Sequence, residues 1–346
     1  MPTTGKPYRV AQWATGTIGL RALRAALDHP ELALAGLYSH SPAKIGRDAG
    51  DLCGLPATGI RATDSLAAIL ELGVDCVLYM PRAFDQETVL ALLSAGTNVV
   101  TTCGLFHHPP SMDPALRTRI EAACATGGSS IHSTGSSPGF ITEALPLTLA
   151  SVQRRVDSLT IDEYADLSQR DSPAMLFEVM GFGQAPADFD QARADHLGAG
   201  FGPSLRLLAD AFGIPVDTVT AHGRTATARH RTTIAAGTIE AGTVAAQQIT
   251  VTAHSYGQAA LRFRATWYCT TDLDTDWPLR ETGWHLELAG DAPLDIDIRF
   301  PIPLTRMAET APGYTANRAV NAVPALCAAP PGIRTTMDLP HLVGAW

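Results

Sequence analysis

Residues 8–19, Tyr8-Arg9-Val10-Ala11-Gln12-Trp13-Ala14-Thr15-Gly16-Thr17-Ile18-Gly19, decide the reading of this chain. A short apolar run from Val10 to Trp13 flows into a turn with glycine at 16 and 19. A helical pattern follows at once, with Leu20, Leu23, Ala26 and Leu27 on one face. Strand, tight turn, helix is the setting in which a glycine-rich turn cradles a dinucleotide diphosphate on a helix N-terminus. The absent side chain at Gly16 lets the backbone approach the phosphates, and that at Gly19 lets the helix pack close to the strand. The N–H groups of the first helical turn then meet the anion. Thr15, Gly16, Thr17, Ile18 and Gly19 are therefore the candidate diphosphate-binding residues. The first glycine of the usual G-x-G-x-x-G is Ala14 here, a departure at one position.

Outward from this turn, the first half of the chain keeps alternating. Strands are predicted at 33–38, 76–80, 98–102 and 130–133, and helices at 65–72, 85–95 and 114–126. Pro81 stops one strand, while Gly96 and Gly127-Gly128 close two helices. Such alternation implies a parallel sheet with helices on both faces, a Rossmann-type dinucleotide-binding domain over 1–150. After residue 150 the texture changes. A strand at 158–164 and helices at 173–180 and 204–212 precede runs rich in Thr, Val and Ile at 232–239, 248–254, 260–268, 285–288 and 294–300. These read as hairpins of a mostly antiparallel sheet in a second, α+β domain over 151–311. An apolar helix at 316–327 is expected to bring the last segment, 312–346, back onto the first domain. The fold class is thus α/β.

Composition narrows the partners. The chain has 346 residues and a formal net charge of −9, which argues against nucleic acid or an anionic membrane surface, since both select clustered Lys and Arg. No run of 18 apolar residues exists and the N-terminus lacks a basic-then-apolar leader, so a cytoplasmic protein is expected. The six cysteines are scattered without a C-x-x-C pair and read as reduced core thiols, with no disulfide frame and no metal site.

Sites with an acidic residue ending the second strand commonly bind the ribose 2′-OH of NAD through it. Here that strand ends Leu37-Tyr38-Ser39-His40-Ser41, with Lys44 and Arg47 beyond. Hydroxyls and cations, and no carboxylate, favour the 2′-phosphate of NADP, with NAD as the alternative and ordinary surface charges as the plain reading. Three further loops follow strand ends, where open α/β sheets bind ligands. Met80 and Pro81, Cys103, and Gly135 with Ser136 are the candidates for the nicotinamide end. His107 and His108 suit a general acid titrating near neutrality, or else a solvated loop. As metal ligands they lack companions, Cys103 being the nearest candidate. The acidic stretch Asp162-Glu163-Tyr164-Ala165-Asp166 reads either as an exposed strand edge or as carboxylates lining a cleft for a cationic substrate, with Glu163 a third candidate for proton transfer. The G-x-S-x-G elbow of a serine hydrolase is absent.

Several motifs together carry a family resemblance. Val10–Gly19, Gly46-Arg-Asp-Ala-Gly50, Asn98-Val-Val-Thr-Thr102, Ser133-Thr-Gly-Ser-Ser-Pro-Gly-Phe140 and Asn321-Ala-Val-Pro-Ala-Leu-Cys-Ala-Ala-Pro-Pro-Gly332 resemble the 2,4-diaminopentanoate dehydrogenase and native amine dehydrogenase group. Its N-terminal domain is related to that of dihydrodipicolinate reductase. The resemblance spans nearly the whole chain. It implies hydride exchange between NAD(P)H and an amine, imine or carbonyl carbon of a small molecule, a second domain that supplies substrate pocket and dimer contacts, and a homodimer. Amine-active members carry a glutamate in the loop after the strand matching Asn98–Thr102. This sequence has Cys103-Gly104-Leu105 there, with no carboxylate until Asp113. A ketone, enone or cyclic-imine reductase without amination activity, or a non-catalytic NADPH-binding sensor, are therefore the rival expectations.

Overall fold

The apolar run at the head of the chain becomes β1 (Tyr8–Trp13), whose last four residues are all buried. Only a central strand with both faces covered buries successive residues in this way. β1 lies between β2 (Leu32–Tyr38) and β4 (Cys76–Tyr79), beyond which come β3 (Ala62–Thr63) on one side and β5 (Asn98–Thr101) and β6 (Ser130–Ser133) on the other. Every pairing in this sheet is parallel. The strand order reverses between β1 and β4, so a crevice opens at their C-terminal ends. The connecting helices are α1 (Thr17–Asp28), α2 (Ala49–Cys53), α3 (Leu66–Glu71), α4 (Gln86–Ser94) and α5 (Pro114–Gly127). Their starts are set by side chains that accept orphan N–H groups: Asp48, Ser65, Asp85 and Asp113 cap α2 to α5. α1 alone of these helices has no side-chain cap.

The structure, a computed structural model, describes residues 6–345. It divides into two units, one of residues up to Phe140 together with those from Ala311 onward, the other Ile141–Thr310. The division falls at 140 rather than 150, because α6 (Leu145–Ala150) counts with the second unit. That unit contains β7 (Val156–Asp166), α7 (Gln191–Phe212), β8 (Thr218–Thr227), the small ribbon β9 (Thr232–Ile234) and β10 (Gly237–Ile239), then β11 (Val244–Ser255), β12 (Gln258–Tyr268), β13 (Gly283–Gly290) and β14 (Leu294–Arg299). Its six-stranded sheet has the order β14-β13-β7-β12-β11-β8 and is antiparallel except where β7 meets β12. α7 lies on the apolar face, where the rings of Phe201 and Phe263 stack 3.9 Å apart. α8 (Leu304–Asn321) then leads into α9 (Val323–Cys327) and β15 (Gly332–Arg334). Ala316, Ala319, Val320, Val323 and Leu326 pack against Val10, Ala22, Ala26, Leu78 and Val100 of the first unit, and β15 pairs parallel with β6 as a seventh strand.

Several local expectations change. The run at 232–239 is not one strand: it folds back on itself, Ile234 pairing with Gly237. The helix expected at 204–212 begins at Gln191, and the one at 316–327 is two helices, broken after Asn321. The acidic stretch is no exposed edge. It lies on β7, with β13 on one side and β12 on the other, and Asp162 is buried because Arg264 of β12 grips both its oxygens at 2.6 Å.

Candidate functional site

The glycine turn is held by its own backbone and by one buried amide. Ala14 adopts φ +76°, the left-handed conformation that costs an alanine about 1–2 kcal/mol and that glycine takes freely. Its N–H donates to the Tyr38 carbonyl at 3.0 Å. Gln12, fully buried on β1, donates from Nε2 to the carbonyls of Trp13 (3.2 Å) and Ala14 (3.0 Å). The next turn comes so close that a Cβ on Gly19 would sit 2.2 Å from the Ala14 oxygen. Gly19 is thus a packing requirement. Gly16 is different: it is exposed, its φ is −73°, and a Cβ there would meet nothing within 4 Å. Open space over an uncapped helical turn is what a diphosphate needs, so these residues fit a dinucleotide.

At the end of β2 the predicted residues come together. Thr15 Oγ1 lies 3.0 Å from Ser39 Oγ, the Ser41 N–H donates to Ser39 Oγ at 3.3 Å, and Lys44 Nζ donates to the Thr15 carbonyl at 2.6 Å. His40 is exposed and edge-on to Tyr38, which stacks flat on Trp13 at 3.6 Å. Asp48, the next carboxylate along, turns inward and accepts from the Thr58, Gly50 and Gly59 amides. The Thr58 amide above all, with the other two, holds its carboxyl below the ordinary range.

Met80 is buried at the end of β4, its N–H on the Trp13 carbonyl at 3.1 Å. The Cys103 carbonyl accepts from Ser133 Oγ at 2.5 Å, and burial pushes the Cys103 thiol up, so it stays protonated at neutral pH. Gly135 is buried, and Ser136 is tied through its hydroxyl to Thr315 of α8 at 2.7 Å. His107 and His108 are buried, not on a solvated loop, because the chain after β5 tucks in through Phe106, itself fully buried. Thr15 to Gly19, Ser39 to Lys44, Met80, Pro81, Cys103, Gly135 and Ser136 all belong to the first unit, and Glu163 belongs to the second.

In the second unit Trp284 Nε1 donates to Glu163 Oε2 at 3.0 Å, fixing a half-buried carboxylate on β7. Glu143, wholly buried, accepts from Ser204 Oγ of α7 at 2.5 Å; sequence reasoning passed over it, since a glutamate in a helical stretch carries no local mark of burial. A cavity of about 590 Å³ opens where β7 and β12 end, lined by Asp166, Tyr268 and Glu281 together with Leu279, Phe300 and Met307. Burial, then Asp166 and Glu281, push the Tyr268 hydroxyl up, and this mixture suits a small organic molecule. His285, Glu287 and Asp295 bring metal-type donor atoms together on β13 and β14. His285 Nδ1 already lies 2.9 Å from Asp297 Oδ1, which Arg280 grips at 2.8 Å, and all three carboxylates are exposed: this is a solvated ion network.

A family model described as the 2,4-diaminopentanoate dehydrogenase C-terminal domain matches residues 140–345. An amine dehydrogenase from Streptomyces virginiae is 27% identical over 342 residues, 95% of each chain. A 2,4-diaminopentanoate dehydrogenase from Acetoanaerobium sticklandii is 26% identical over 155 residues, 42% of each. Among solved structures, an amine dehydrogenase from Mycobacterium smegmatis superposes with a TM-score of 0.75 at 21% identity, covering 98% of this chain and 97% of that one. With the parallel sheet and its phosphate-ready turn, these likenesses define the class: the protein is a nicotinamide-dependent oxidoreductase acting on a small molecule. Within that class, the chain belongs to the 2,4-diaminopentanoate dehydrogenase family. Among the described residues no helix is long and apolar enough to cross a membrane.

Proposed function

We propose that the protein moves hydride between NADPH and the imine, amine or carbonyl carbon of a small organic substrate. The observation that supports the cofactor choice is the cluster of Thr15, Ser39 and Lys44 at the end of β2, where the stretch from Leu37 to Arg47 itself contains no carboxylate. The relatives named amine dehydrogenase support the substrate class. A bound reduced nicotinamide supplies the hydride. Thr15 to Gly19 hold the diphosphate with backbone N–H groups, Ser39, His40, Ser41 and Lys44 hold the 2′-phosphate, and Met80, Pro81, Cys103, Gly135 and Ser136 shape the nicotinamide end. Positioning and exclusion of water then set the rate. The nitrogen or oxygen that gains charge needs a proton. His107, His108 and Glu163, the last accepting from Trp284 Nε1 at 3.0 Å, are the candidates for its donor. The functional protein is a homodimer of cytoplasmic type, so light scattering should give about twice the 36.5 kDa chain mass.

The test is NADPH and NADH consumption with a panel of ketones and preformed imines, with and without ammonium. NADPH should be used in preference, and Lys44→Ala should narrow the gap by roughly 10–150-fold, the worth of a charge-assisted bond of about 1.5–3 kcal/mol. Equal use of both cofactors by the unmutated protein would refute the cofactor assignment. A second reading is favoured by Cys103-Gly104-Leu105, where no carboxylate stands ready for an ammonium proton. In that case carbonyls or cyclic imines are reduced and ammonium adds nothing, or NADPH binds without turnover. Gly104→Glu should then raise amination.

A further inference from the structure

We propose that Gln12 is a positioning residue that does for this turn what the missing first glycine does elsewhere: its side-chain amide clamps Ala14 in the left-handed conformation that shapes the diphosphate cradle. The role rests on reading residues 15–19 as the dinucleotide site.

Three observations converge on it. Gln12 is a polar side chain on a strand whose neighbours Val10, Ala11 and Trp13 are apolar, and it is fully buried. Burying an amide is costly unless its hydrogen bonds are made. Its Nε2 makes two, both to carbonyls of the turn, at Trp13 and Ala14. Both bonds that the side chain makes to described residues are thus donated by Nε2. The clamped residue is the one strained residue of the turn, Ala14 at φ +76°. The Ala14 carbonyl that Gln12 holds is also the atom on which Gly19 closes: a Cβ on Gly19 would meet that oxygen at 2.2 Å and Gln12 Nε2 at 3.2 Å. Strand, turn and helix start are thus locked through one amide group. Were Ala14 to relax to negative φ, its carbonyl would rotate away from Gln12 and α1 would lose the seat that aims its first N–H groups.

Replacing Gln12 by Met keeps the length and removes both donated bonds, while Ala14→Gly removes the strain that the clamp offsets. The four proteins (wild type, Gln12→Met, Ala14→Gly and the double variant) are compared by thermal melting without ligand and by NADPH titration followed by fluorescence. Gln12→Met should melt lower and bind NADPH about tenfold more weakly, and the double variant should recover melting and affinity to within about threefold of wild type. Wild-type affinity and melting in Gln12→Met overturn the proposal, and so does a loss that Ala14→Gly leaves unrepaired. If Gln12→Met is insoluble, a folded double variant supports the clamp and an unfolded one overturns it. If none of the four binds NADPH or NADH, the dinucleotide reading of the turn has failed, while the ligand-free melting series still decides whether Gln12 holds Ala14.

Discussion

The two glycines of the turn should both lose binding when replaced by alanine, but only one of them should lose stability. At Gly16, φ −73° suits alanine and a Cβ meets nothing within 4 Å, so the folded chain accommodates Gly16→Ala. Alanine is the poorer N-cap by about 0.5–1 kcal/mol, yet it reduces the freedom of the unfolded chain by about 0.4–1 kcal/mol. These offset, leaving the melting temperature nearly unchanged. The added methyl group occupies the cradle, however, and loss of one charge-assisted N–H contact to phosphate removes about 1.5–3 kcal/mol, roughly 10–150-fold in affinity. At Gly19 the methyl group would sit 2.2 Å from the Ala14 oxygen and 2.9 Å from its carbonyl carbon, about 1 Å inside ordinary contact. Backbone must move, which costs about 1–3 kcal/mol as overpacking, with the upper end expected because the neighbour is not a flexible side chain. Gly19→Ala should therefore lose both stability and binding. Calorimetric melting and an NADPH titration on each variant separate the cases. Wild-type affinity in a folded Gly16→Ala protein would refute the assignment of the cradle.

Two further outcomes follow from buried carboxylates. Asp162→Ala leaves Arg264 unpaired on the sheet and should cost about 3–5 kcal/mol in urea unfolding, whereas removing both partners, as Asp162→Leu with Arg264→Met, should cost less than the single change; a loss below about 1 kcal/mol for Asp162→Ala contradicts this. Asp48 is held below the ordinary carboxylate range by the Thr58, Gly50 and Gly59 amides, so its contribution is complete above the unfolded value of about 3.9 and disappears as pH falls through the lower folded value. Melting curves of Asp48→Asn should accordingly depend less on pH below about pH 4 than those of the wild type, and parallel curves would show that Asp48 is not an acid-sensitive anchor.

What the sequence disclosed, it disclosed through short-range signals. Gly16 and Gly19 marked the turn because their spacing is fixed by one helical turn, and Pro114 and Gly127-Gly128 bracketed α5 in the same local way. Lys44, Ser39 and Thr15 are legible in the same way, since the hydrogen bonds among them need only the turn after β1 and the short loop after β2. Long-range features stayed hidden. The placement of β7 at the middle of its sheet depends on β12 arriving about a hundred residues later with Arg264 opposite Asp162. β15 has three residues and no periodicity, and exists because β6 offers it an edge. Ala14 stands where the usual motif has glycine, but an alanine does not by itself announce a φ of +76°. The mark lay two residues earlier, in a glutamine among apolar neighbours.

The return of the chain to its first sheet has a consequence for biogenesis. Phe140 ends the leading part of the first unit, yet the residues that cover Val10, Leu78 and Val100, and the strand that closes the edge of β6, all lie after Ala311. At about 5–20 residues per second on the ribosome, they emerge on the order of tens of seconds later. Throughout that interval the nascent sheet presents an apolar face and an unpaired edge, the surfaces that chaperones hold and that neighbouring chains on a polysome can capture. Yield in a cell should accordingly respond to translation speed and chaperone supply more strongly than the stability of the finished protein suggests.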